Sequence, residues 1–132
     1  EYKKAVMNAQ RGITIQDTDN LVTLMYANAY AHDPDIDIDT VDYAALTHHA
    51  KSIQKYFNWD HIFVVRPANK TFVDDGCRYM KQASMSERLK NMKKLDNLIE
   101  SFGYDQNKIT YLTGGEFEKN FEIVRDYIQN LK

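Results

Sequence analysis

Three short stretches of this sequence carry residue types suited to chemistry on phosphate. Asp17-Thr18-Asp19 places two carboxylates two positions apart, directly after the β-branched run Ile13-Thr14-Ile15-Gln16. Carboxylates so spaced at a strand end can hold a magnesium ion, directly or through water, or orient and deprotonate a hydroxyl. The simpler alternative is that one of them caps the following helix and supports its N-terminus. Asp74-Asp75-Gly76-Cys77-Arg78 follows the apolar run Ile62-Phe63-Val64-Val65. The planar guanidinium of Arg78 suits phosphate oxygens, and a neighbouring aspartate can hold it in place. Gly76 lets the backbone turn or approach a ligand. Its alternative is a solvated turn with a surface salt bridge. Arg88 lies ten positions further on, in the first turns of a helix. A cation gains nothing from the helix dipole there, which favours a phosphate-facing role. An arginine-bearing segment over the end of a sheet supplies what phosphoryl transfer needs: positive charge and exclusion of water.

The remaining reactive side chains are weaker candidates. His32, His48, His49 and His61 lack metal-ligand spacing, and His61 at a strand start reads as structural. Arg78 can lower the thiol pKa of Cys77, but no histidine stands near it in sequence to make a nucleophile. Tyr26, Tyr30 and Tyr43 are candidates for lining a substrate pocket, against the alternative of a partly buried helix face. Tyr56, Phe57 and Trp59 read as sheet-packing residues.

These residues need elements to position them. The 132 residues fit one domain, with 43% hydrophobic residues for a core and 27% charged residues for an ordinary surface. A net charge of -2 argues against a broad nucleic-acid footprint. The single cysteine excludes an intramolecular disulfide framework. No apolar run approaches the ~20 residues of a membrane span, and the cytoplasm is the expected compartment.

Hydrophobic periodicity predicts helices over residues 1–10, 20–32, 40–57, 84–102 and 117–131. Short β-branched runs predict strands at Ile13–Gln16, His61–Val65 and Lys108–Leu112. Strands separated by helices imply parallel crossovers, and ligand sites in such sheets lie beyond the carboxyl ends of the strands. The expected fold is therefore α/β with a mostly parallel sheet. Asp17-Thr18-Asp19, Arg66 to Arg78 and Thr113-Gly114-Gly115 would all fall at those ends.

In order along the chain, ITIQDTDNLVTLMYANAY, WDHIFVVRPANKTFVDDGCR, SERLKNMKKLDNLIESFGY and ITYLTGGEFEKNFEIVRDYI resemble the P-loop nucleoside and nucleotide kinases of the NadR type. This group comprises the ribosylnicotinamide kinase domain and its phage-encoded relatives. The resemblance covers nearly the whole chain, and VDDGCR with Asp17-Thr18-Asp19 upstream is its most specific part.

The resemblance implies a three-layer, mostly parallel sheet of P-loop kinase type, with residues 1–132 forming its C-terminal portion and a lid over about residues 67–88. It implies phosphoryl transfer from MgATP to a nucleoside or nucleotide. Asp17 would stand near Mg2+, and Asp19 would face the nucleoside sugar and serve as base. Arg78 and Arg88 would be lid arginines on the ATP phosphates, Asp75 with Gly76 would shape that site, and Tyr26 and Tyr30 would frame the nucleoside. The family's Gly-x-x-x-x-Gly-Lys-Ser/Thr cradle has no counterpart in this sequence. The sequence therefore predicts a kinase completed by a P-loop segment, as the C-terminal fragment of a longer kinase, with a complementing N-terminal chain or within an oligomer. The alternatives are a non-catalytic nucleotide-binding or assembly module and an Asp-dependent phosphatase or hydrolase.

Overall fold

A computed structural model describes residues 12–31, 33, 35, 40–54, 56, 59–69, 76, 80 and 83–131. The chain divides into two units, Glu1–Asn58 and Trp59–Lys132. The helix expected over residues 1–10 lies outside the described residues, as do Asp74, Asp75, Cys77 and Arg78.

In the first unit, helix α1 spans Asn20–Tyr30 and α2 spans Thr40–Gln54. The Asp19 side chain starts α1 by accepting the Leu21 N–H at 2.8 Å, which satisfies one otherwise orphaned donor. Leu21, Leu24, Met25, Ala27 and Ala29 of α1 are all buried. They wrap about half of the helix circumference, so most of α1 is covered while Thr23 and Tyr26 stay exposed. α2 packs against α1 and buries Ala50, while Ala44 and Leu46, expected on its apolar face, are exposed.

In the second unit, β1 (Ile62–Val65) pairs in parallel with β2 (Ile109–Leu112), in the register Ile62↔Ile109 to Val65↔Leu112. Parallel strands need a long crossover, and α3 (Met85–Ser101) supplies it. Ser84 caps α3 by accepting the Glu87 N–H at 3.2 Å. At the other end Gly103 takes φ 69°, which glycine adopts without Cβ strain. Its N–H bonds the Glu100 carbonyl and that of Tyr104 bonds Ile99, forming the paired bonds of a Schellman motif. A short 3-10 turn (Gln106–Lys108) leads into β2. Helix α4 (Phe117–Asn130) follows. Val64, Leu95, Ile99, Phe102 and Leu112 form the buried core of this unit.

The expectation of a three-layer, mostly parallel sheet of P-loop kinase type is overturned. Among the described residues helices dominate and the sheet has two strands. Ile13–Gln16 form no strand, and Ile13 and Ile15 are 49% and 75% exposed. β-branched composition suits a pleated surface, but only a neighbouring strand that takes up the backbone N–H and C=O groups makes a ladder. The P-loop NTPase kinase architecture falls with the missing strand. The expected β1, β2, α3 and α4 do form, within a few residues of their predicted bounds.

Candidate functional site

The first unit holds Asp17, Asp19, Tyr26 and Tyr30. Asp17 is exposed and accepts a hydrogen bond from the Thr18 hydroxyl at 3.2 Å. Thr18 itself sits at φ 70°, an uncommon conformation for a β-branched residue. This bend separates the two carboxylates: Asp17 stays in solvent while Asp19 turns back onto the α1 N-terminus. The capping alternative is thus the one the structure shows for Asp19. Tyr26 and Tyr30, one helical turn apart, stack with ring centroids at 5.9 Å. Burial, and then the neighbouring Tyr26, pushes the Tyr30 hydroxyl above the ordinary tyrosine pKa. Both amide atoms of Asn20, at the first position of α1, are buried without a hydrogen-bond partner.

The second unit brings its candidate groups to the carboxyl end of the β1–β2 pair. Arg66 directly follows β1, and its N–H bonds the Leu112 carbonyl at 2.9 Å, extending the ladder by one rung. Its guanidinium makes two hydrogen bonds of 3.0 Å to the Asp96 carboxylate on α3 and stands 4.2 Å from the centre of the Tyr111 ring. The pair is about one-third exposed, so its Coulomb energy is modest, and the ring contact adds geometric constraint. Arg88, in the first turns of α3, donates to the Ala68 carbonyl at 2.8 Å. The arginine expected on a phosphate therefore ties α3 to the loop after β1.

The loop after β2 closes on the same place. A Cβ at Gly114 would lie 2.3 Å from the Arg66 oxygen and 2.4 Å from Ala68 N, so only glycine fits. Gly115 follows at φ 85°. Asn120, one turn into α4, donates to the Thr113 carbonyl at 2.7 Å and holds that loop to the helix. Asp75, Gly76 and Arg78 come next in the sequence after the loop that follows β1. Of these only Gly76 is described, at φ 74°, a conformation glycine provides readily.

Sequence reading placed Arg66 and Gly114 at the strand ends and Arg88 in the first turns of a helix, but it did not identify Asp96 or Tyr111 as the partners of Arg66. Asp96 could not have been found from spacing, because its contact with Arg66 depends on how α3 packs against the strands. Nor could Tyr111, since its contact depends on strand pairing. His61 has the structural role expected of it. Its Nε2 is 2.8 Å from the Thr110 hydroxyl, and its ring lies 4.2 Å from that of Tyr127.

Among the described residues, no three His, Cys, Asp or Glu side chains are grouped to hold a metal ion, and no helix is long and apolar enough to cross a membrane. Asp17 presents one carboxylate to solvent. The fold and cluster define a mostly helical chain with a parallel β–α–β unit. No protein-family model matches it, and neither a curated protein nor a solved structure does.

Proposed function

We propose that the carboxyl end of the β1–β2 pair binds the phosphates of a nucleotide. In this reading the chain serves phosphoryl transfer from MgATP to a nucleoside or nucleotide, in the manner of the NadR-type kinases its sequence resembles. The observation that supports it is the convergence of Arg66, Arg88 and the Gly114 contact where parallel sheets carry their ligand sites. Arg78 supplies the fork for the phosphates, with Asp75 and Gly76 in the same site, as the resemblance assigns them. Arg88 acts from the helix side and keeps the post-β1 loop in position. Asp17 is the carboxylate that the resemblance assigns to magnesium. Asp19, Tyr26 and Tyr30 serve the acceptor nucleoside. The phosphate cradle comes from a complementing segment or chain, because this sequence contains no such run. MgATP and nucleosides place the activity in the cytoplasm.

A second reading, a nucleotide-binding or assembly module without catalysis, is favoured by Asp19 and Arg88 both being engaged in local structure. Backbone amide NMR during a MgATP titration tests the common core of both. Shifts are expected at residues 66–69, 76–88 and 113–116, and Arg78→Ala should weaken them. No shift at millimolar nucleotide would sink the proposal. Labelled phosphate appearing on a nucleoside, once the cradle segment is supplied, separates enzyme from module.

A further inference from the structure

Helix α4 leaves a large apolar surface uncovered in its own unit. Phe117, Phe121, Val124 and Ile128 recur at spacings of four, three and four, forming a seam along one side. Val124 and Ile128 are half-buried, Tyr127 beside them packs edge-on against Phe63 at 5.5 Å, and none of the helix residues is fully buried, so the seam is covered in part and opens toward its N-terminal end. Phe117 and Phe121 remain 76% and 57% exposed. Val65, which alternation puts on the same face of β1 as Phe63, is 59% exposed. The sheet face that receives α4 therefore has apolar surface left over beside it.

We infer that this surface is a self-association site, on which a second copy of the chain lays its own α4 antiparallel to the first. Charge selects this occupant. Glu118 and Arg125 are seven residues apart and follow the seam on the same flank, both exposed. About a two-fold axis near the middle of α4, Glu118 faces Arg125 of the second copy, and Arg125 faces its Glu118. The same register sets Phe121 against Val124 and Phe117 against Ile128. One helix thus carries both halves of a closed, isologous contact. A parallel pairing would bring Asn120 and Tyr127 to the flanks and leave both charges without partners across the seam. Arg125 bonds its neighbour Asp126 at 3.0 Å within one copy, an exposed contact that exchanges readily.

Charge reversal tests the register directly, by sedimentation velocity on the full chain across a concentration series. The wild-type chain is expected to form dimers. Glu118→Lys alone, or Arg125→Glu alone, opposes like charges twice per dimer and should raise the dissociation constant about tenfold. Glu118→Lys combined with Arg125→Glu restores opposite pairs and should recover most of that loss. Phe121→Glu should leave only monomer, with far-ultraviolet circular dichroism confirming that the variant stays folded. A wild-type chain that is monomeric throughout the series overturns the inference. So does a double reversal no better than the single ones, or a dimer that persists with Glu at position 121.

Discussion

Helices α1 and α4 differ most where sequence makes them look alike. Both are rich in apolar residues. α1 spreads its large and small apolar residues around the helix, and five of them are buried. α4 concentrates its apolar residues on one seam, and none is fully buried. A sharp stripe specifies which face a helix offers; it does not supply the surface that covers it. A helix apolar on most sides has no stable place except the interior.

Paired truncations test that difference most strongly. Leu24 is the largest side chain with essentially no exposure, and Leu24→Ala should cost about 3 kcal/mol through lost burial and a residual cavity. Phe121→Ser should change monomer stability by less than about 0.5 kcal/mol, because the ring is already in solvent. Urea unfolding measures both, and equal losses would erase the distinction between the helices.

Gly114→Ala probes the strand ends of the second unit. The added methyl meets main chain from Arg66 to Ala68, which cannot rotate away, so a loss of about 2 kcal/mol is expected. Amide exchange should speed up at residues 66–69 while α1 and α2 keep their protection. A loss shared by both units would instead show that they unfold together.

Ser84→Ala removes the side-chain cap of α3 and should cost ~1 kcal/mol, read from the same unfolding curves. The crossover helix carries Arg88 and Asp96, so this loss should be accompanied by a change in the Tyr111 environment.

The smallest effect expected is a pH dependence confined to the first unit. Tyr30 has its pKa raised in the folded chain, chiefly by burial, so the neutral phenol is the form the fold favours. Its contribution is complete below the unfolded value near 10 and is lost as pH rises through the higher folded value. Tyr30→Phe should remove that part of the alkaline fall in stability. An unchanged alkaline profile would show that the ring gains nothing from its place on α1.

Much of the local structure was legible from particular residues. The Asp17-Thr18-Asp19 run offered a cap for the helix that follows it, and the β-branched runs of β1 and β2 announced strands. Each of these signals acts within a few residues of itself. The run at Ile13–Gln16 carried the same composition as the true strands and made none. A strand is a property of a pair, and composition records only one member. The candidate site divides in the same way. Arg66 and the Gly114-Gly115 turn could be placed near the strand ends from chain order, whereas the contact of Arg66 with Asp96 and Tyr111 could not.

By itself the sequence determined where the helices of the described residues start and stop to within a few residues, because those ends are settled by short-range sterics and hydrogen bonding. Tertiary structure decided which arginine clasps a loop and which apolar faces find cover. Those outcomes depend on groups distant in sequence reaching one another, and local chemistry does not encode that reach.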